Sequence, residues 1–222
     1  ARSLGEKGKK VFLLAGNKTD QTRFSKHCSG SLTLKKLDIL KITNFIKTKN
    51  IDLVIPVGTT SIKFFAKNHL HFSKITRLFI PSYEGVELCM SKKKTHLLAQ
   101  KLNIPTPKTF FPSSLNEAKK ISKIIEFPCV IKWPIEVGDN IVDYANDKND
   151  FWIKYKKMIE YGNQTYPMVQ EFIEGDGVGY FALFKDGKEV CSYQHKRLRE
   201  SPPSGGVSVC AKTVHFKDAE IY

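Results

Sequence analysis

Long apolar runs are missing from this chain. The longest, Val11 to Ala15 and Leu53 to Pro56, are far too short to cross a bilayer as a helix. A secretory signal is missing as well, since Ala1 to Lys10 is charged and has no apolar core segment. Cysteine is sparse: five residues, at 28, 89, 129, 191 and 210, form an odd set without paired spacing. That pattern argues against a disulfide framework or a zinc site, and it leaves the thiols in apolar runs to read as plain core residues. These features together imply a cytoplasmic protein. Repeats, low-complexity tracts and heptads are lacking, which excludes solenoids and coiled coils. Acidic residues are the scarce charge, 22 against 36 Lys and Arg, giving a net charge of +14. Such a surplus raises a nucleic-acid partner as one reading. The lysines, however, are scattered along helical segments rather than gathered into a tail, and few are interleaved with aromatics, so that reading is the lesser one.

What is present is an ordinary globular composition, 41% hydrophobic and 26% charged, over 222 residues, enough for one large domain or two small ones. Ala1 to Gly5 reads as the last turns of a helix with Gly8 as its stop, so the chain is expected to begin in mid-structure. A buried strand follows over Lys10 to Ala15. Lys35 to Lys49 carries Leu37, Leu40, Ile42, Phe45 and Ile46 near helical spacing, and it feeds a continuous apolar strand over Asp52 to Pro56. A helix over Thr60 to Asn68 and a short strand over Arg77 to Ile80 complete a βαβ alternation. The expectation is an open, mostly parallel sheet with helices on both faces, over residues 1–86.

A second block, 87–166, holds a helix over Lys92 to Leu102, ended by Asn103 and Ile104-Pro105-Thr106-Pro107. A strand (Thr109 to Phe111), a helix (Leu115 to Ile125), the strand Cys129 to Lys132, a polar loop, another strand and a helix near Phe151 to Tyr161 come next. In the third block, 167–222, Val169 to Ile173 and Tyr180 to Phe184 are β-prone, and Asp186-Gly187 signals a hairpin turn. If Val190 to Arg199 returns as a strand, alternation sends His195, Arg197 and Arg199 to one face. Three such heads in a row call for an anionic partner such as a polyphosphate or acyl phosphate, unless the face is simply solvated.

The second and third blocks resemble the ATP-grasp superfamily, and the first resembles the domain that commonly precedes it. Ser91-Lys92-Lys93-Lys94-Thr95, with Asn103-Ile104-Pro105-Thr106-Pro107, is similar to the family's lysine-led helix ending in Gly-Ile-Pro-x-Pro. In this match Ser91 stands for an aspartate and Asn103 for the glycine. Phe127 to Pro134 resembles the strand ending in Lys-Pro, with Lys132 the lysine. The loop after it carries Gly138 alone where the family often has a glycine-rich phosphate flap. Met168 to Gly175 resembles the hinge whose backbone reads adenine. Four segments match in order and spacing.

The resemblance implies an α/β and α+β fold: an N-terminal open parallel-sheet pre-ATP-grasp domain, then a two-lobed ATP-grasp domain incomplete at its C-terminus. It implies ATP and Mg2+ as cofactors, with a small carboxylate and a nucleophilic acceptor as substrates. Lys92, Lys132 and Gly138 would serve the phosphates; Gln170, Glu171, Phe172 and Ile173 the adenine; Asp176 the ribose. Arg197, His195 and Arg199 would attend the γ-phosphate and the reacting carboxylate. No metal ligand is assigned, because the family's acidic metal motifs fall beyond the point resembling residue 222; the chain is expected to be a fragment cut at both ends. A carbamoyl-phosphate-synthetase-like module and a non-catalytic nucleotide sensor are the alternatives within the resemblance.

Overall fold

The computed structural model describes residues 1–135, 142–162, 165–201 and 207–214. The chain separates into two compact units, Ala1–Glu87 and Leu88–Tyr222.

The first unit opens with α1 (Arg2–Gly5), which closes as a Schellman motif: Gly8 adopts φ +70°, Gly8 N donates to Gly5 O and Lys9 N to Leu4 O. β1 (Val11–Ala15) runs parallel to β2 (Cys28–Thr33). α2 (Ile39–Thr48) follows, then β3 (Leu53–Val54), α3 (Thr59–Lys67), α4 (His69–Phe72), β4 (Arg77–Leu78) and α5 (Tyr83–Cys89). β3 and β4 are also parallel. The single open sheet expected here is therefore drawn as two separate parallel pairs, and β2 went unforeseen because Ser-Gly-Ser interrupts its apolar pattern. α2 starts four residues later than its periodicity suggests. Asp38 is the reason: its carboxylate accepts from Lys41 N at 2.8 Å and fixes the N-terminus there. The apolar strand expected over Asp52 to Pro56 is short and not fully buried, with Leu53 and Ile55 about half exposed. Ile42, Ile46, Phe65 and Phe72 form the core, which Leu14, Val54 and Leu78 join from the strands. Burying a ring such as that of Phe72 contributes about 1.5–3 kcal/mol.

The second unit holds α6 (Lys92–Lys101), β5 (Thr109–Phe110), α7 (Leu115–Ile121), β6 (Cys129–Lys132), β7 (Val142–Ala145), α8 (Lys148–Tyr161), β8 (Met168–Glu171), β9 (Val178–Lys185), β10 (Lys188–Ser201) and β11 (Val207–Thr213). Side-chain caps set the helix starts: Ser91 for α6, Ser114 for α7 and Asp147 for α8. Ser91, departing from the aspartate of the motif, keeps a capping oxygen, which accepts from Lys94 N. Asn103 takes φ +57°, and Ile104 N returns to Ala99 O, so it fills the left-handed position that closes α6.

Four strands form an antiparallel sheet in the order β5-β8-β6-β7, and three more form a separate sheet, β11-β10-β9. The β-prone run through Ile173 thus ends at Glu171, leaving Phe172 and Ile173 beyond the strand, and β8 and β9 belong to different sheets. One face of the first sheet presents Cys129, Ile131, Ala145 and Val169 to Ala118 and Ile121 of α7 and to Phe151, Tyr155 and Met158 of α8. Trp133 joins that core. All five cysteines are unpaired; of the several expected in the core only Cys129 is buried, while Cys28 and Cys210 are intermediate and Cys89 and Cys191 are exposed.

Candidate functional site

Alternation along β6 decides what reaches the other face of this sheet. Cys129, Ile131 and Trp133 face the core, so Val130 and Lys132 face away from it. Pairing places Gln170 opposite both Val130 and Thr109, and Tyr144 also opposite Val130, on that same second face. There Lys132 Nζ donates to Gln170 Oε1 at 2.7 Å, and Gln170 Nε2 donates to Thr109 Oγ1 at 2.7 Å. Thr109 Oγ1 in turn donates to Pro107 O at 2.7 Å.

The start of α6 is tied to the end of the same strand. Lys92 N donates to Pro134 O at 2.9 Å, and Ser91 pairs with Ile135 as an isolated antiparallel bridge. The Lys92 charge is thereby close enough to act on Lys132. Burial holds the pKa of Lys132 below its ordinary value, and the positive charge of Lys92 pushes it further the same way. Among the described residues neither lysine has a carboxylate partner. Two adjacent cations, one of them half-buried, fit an anionic ligand such as a phosphate chain.

Beside them lies an apolar rim. Phe172, 42% exposed, meets Tyr144 edge to face with centroids 5.8 Å apart, and Ile173 is 61% exposed. Tyr144 and Thr109 were missed in the sequence; the alternation of β7 and the register of β5 against β8 were the signals that could have found them. Glu171, one residue from Gln170, does not join this face. Its Oε1 accepts from Lys108 N at 2.7 Å, and its own N–H donates to Lys108 O at 2.9 Å, so its carboxylate fastens β8 to the chain ahead of β5. Gly138 lies outside the described residues.

His195 and Arg197 lie on β10. His195 crosses Gly179 of β9, and Arg197 crosses Gly177 just ahead of that strand: a Cβ on Gly179 would sit 2.6 Å from His195 Cε1, and one on Gly177 would sit 2.9 Å from Arg197 Cδ. The bare backbone lets both side chains lie flat on the sheet, where the His195 ring stacks on Phe181 at 5.2 Å and 28°. Arg197 Nη1 donates to Glu200 Oε1 at 3.0 Å, and Arg197 N donates to Gly177 O at 2.7 Å. The regular alternation expected from His195 to Arg199 is disturbed, because the register with β11 slips between Arg197 and Arg199 and again before Glu200. Arg199 is exposed. Asp176 is ion-paired with Lys196. The structure brings Lys92, Lys132 and Gln170 together, while Arg197 pairs with Glu200 of its own strand.

The fold is the one found in enzymes of ATP-grasp architecture. No protein-family model matches the chain. Among curated proteins it is 27% identical over 144 residues to the formate-dependent phosphoribosylglycinamide formyltransferase of Sulfurisphaera tokodaii, covering 63% of this chain and 35% of that protein. It is 25% identical over 91 residues to the carbamoyl phosphate synthase large chain of Methanosarcina mazei, covering 41% and 8%. Among solved structures, the biotin carboxylase domain of Hydrogenobacter thermophilus 2-oxoglutarate carboxylase, in complex with MgADP and bicarbonate, aligns with a TM-score of 0.66 at 15% identity, covering 90% of this chain and 47% of that one. An ADP complex of N5-carboxyaminoimidazole ribonucleotide synthetase also reaches 0.66, at 11% identity, covering 88% and 52%. These proteins are ATP-grasp enzymes, and the chain is similar to them in sequence and in fold. It spans about a third of the length of the first curated relative. Among the described residues no helix is long and apolar enough to cross a membrane.

Proposed function

We propose that the chain supplies the nucleotide-binding portion of an ATP-dependent carboxylate ligase that works in the cytoplasm. One observation carries this reading: Lys132 and Lys92 are juxtaposed without a carboxylate partner, next to the apolar rim of Tyr144, Phe172 and Ile173. A nucleoside triphosphate answers both halves of that site, with its phosphates against the cations and its base against the rings. Residues 1–86 are the pre-ATP-grasp domain in this reading, 87–166 the small lobe and 167–222 part of the large lobe.

In the reaction proposed for the whole protein, a carboxylate oxygen attacks the γ-phosphorus. The bond from that phosphorus to the β,γ-bridging oxygen breaks, and ADP leaves. The nucleophilic acceptor, an amine, then attacks the acyl carbon, and inorganic phosphate departs while the amine gives up a proton. Arg197, with a planar fork suited to oxyanions, steadies the transferring phosphoryl group; His195 orients the carboxylate and Arg199 binds it. Asp176 is left as a ribose contact that has to exchange Lys196 for the sugar. Magnesium bound with ATP neutralises phosphate charge. No group of three metal-binding side chains occurs among the described residues, so none of them is given that role.

Lys132→Met tests the reading. Titration calorimetry with MgATP should show binding to the protein and its loss in the variant. The sign of the stability change follows from the lowered pKa of Lys132. The folded state disfavours the charged amine, so below the folded pKa the protein carries that penalty, and it fades as pH rises through it. At neutral pH the variant should therefore melt at or above the wild-type temperature. Undiminished MgATP affinity in Lys132→Met would overturn the assignment.

A further inference from the structure

The hydrogen-bond chain beneath Lys132 has a fixed direction. Thr109 has one hydroxyl hydrogen, and Pro107 O takes it at 2.7 Å. Toward Gln170, 2.7 Å away, Thr109 Oγ1 can then only accept, which obliges the Gln170 NH2 group to face it. The other end of the amide, Oε1, is left to meet the Lys132 ammonium at 2.7 Å. Flipping the amide would set NH2 against NH3+ and a carbonyl against a hydroxyl with no spare hydrogen. The orientation is thus set by a backbone carbonyl three links from the lysine, across β5, β8 and β6.

Gln170 is also neutral. A carboxylate there would hold the lysine equally well but would cancel the charge an anionic ligand requires. An amide fixes the head group and leaves its full charge, with two of its three N–H groups still available.

We propose that Thr109 and Gln170 are positioning residues that aim Lys132 at the phosphates, and that Gln170 acts through the lysine rather than by reading the base. This rests on the phosphate-binding role given to Lys132 above. The side chain of Gln170 is committed at both ends, so its spacing in the hinge-like segment, which suggested adenine contact, does not by itself assign it one.

The test compares ATP and adenosine binding to the protein and to Thr109→Val, Thr109→Ser and Gln170→Glu. Valine keeps the shape of threonine and removes the acceptor. Thr109→Val should weaken ATP about tenfold, the order expected for a hydrogen bond to a charged group. It should leave adenosine unchanged, and Thr109→Ser should restore ATP affinity. Gln170→Glu should also weaken ATP, by neutralising Lys132. A second readout does not depend on nucleotide: the 15N ammonium resonance of Lys132 should report a restricted head group in the protein and in Thr109→Ser, and a mobile one in Thr109→Val. Equal loss of ATP and adenosine in Thr109→Val, or unchanged ATP affinity, would overturn the relay. An unchanged ammonium resonance would do so too. If the unaltered protein binds no ATP, the phosphate role of Lys132 fails while the ammonium resonance still decides the relay.

Discussion

Gly162→Ala is the substitution whose cost can be worked most directly from the structure. Gly162 closes α8 with φ −96° and ψ 21°, a backbone that alanine adopts without strain. On backbone grounds alone the change would stabilise the protein by about 0.4–1 kcal/mol, by reducing the freedom of the unfolded chain. Packing opposes it. The added Cβ would lie 1.8 Å from Trp133 Cη2, 2.4 Å from Cζ3 and 2.7 Å from Cζ2, where real contacts do not fall below 3.0 Å. Trp133 is a rigid ring, 5% exposed, packed in the core between the sheet and α8. Either the indole or the end of α8 has to move by about 1 Å into a close-packed interior. Overpacking of this kind costs about 1–3 kcal/mol, and a rigid aromatic obstacle places it at the upper end. The net expectation is a loss of about 2 kcal/mol, or a fall of about 4–8 °C in melting temperature for a unit of this size. Tryptophan fluorescence during thermal denaturation reads it, since both tryptophans, Trp133 and Trp152, belong to this unit. A midpoint equal to or above that of the unaltered protein would refute the reasoning, because the backbone term would then have won.

The thiols should divide by burial: at pH 8 Cys89 and Cys191 should react with a disulfide reagent while Cys129, whose pKa burial pushes up to about 11, should react only after unfolding. Fast labelling of Cys129 in the native protein would show that its core opens locally. That raised pKa also has a sign. The unfolded thiol ionises near 9.0 while the folded one holds its proton to about 11, so stability should fall as pH rises through this window, and a rising or flat profile in Cys129-containing protein relative to Cys129→Ala would contradict it. Gly179→Ala should push His195 off Phe181, as its Cβ would stand 2.6 Å from the imidazole, with little change in melting because this face is open. Under the proposed function it should lower turnover by about tenfold through misplacement of His195, and unchanged turnover would remove His195 from the chemistry.

Element type was legible wherever local chemistry decided it. Ser91 and Ser114 announce helix starts, and Asp186-Gly187, with φ of +52° and +75°, makes the hairpin turn its sequence demands, whereas the caps Asp38 and Asp147 were passed over and their helices placed four residues early and three late. Beyond the β9–β10 hairpin, sheet partnership was not legible, since it depends on contacts distant in sequence. Nothing in the run from Val169 to Phe184 says that β8 joins β6 and leaves β9 to a different sheet. β2 escaped for a related reason: Gly30 and the serines beside it carry no apolar alternation, although Phe12 packs against Gly30. Of the candidate site, the lysines were legible because their motifs are ordered along the chain. Tyr144 and Thr109 were not, because only strand register brings them there.

Register also explains why neighbouring polar residues have unlike roles. Gln170 and Glu171 are equally plausible hinge contacts on paper, yet adjacent residues of a strand face opposite ways. In the observed register the neutral amide meets Lys132, and the acid is turned to the Lys108 amide. A shift of one residue would exchange them, placing a carboxylate against the ammonium. Lys132 would then be neutralised by its own protein, and Lys92 would stand as the lone cation of the pair. The site's positive charge therefore depends as much on the pairing of β8 between β5 and β6 as on the presence of the lysines. The core supplies what holds that pairing: Val169 is fully buried beside Ile131 and Cys129, and a one-residue slip would carry it out to the opposite face. Packing on one side of the sheet thus fixes the electrostatics on the other.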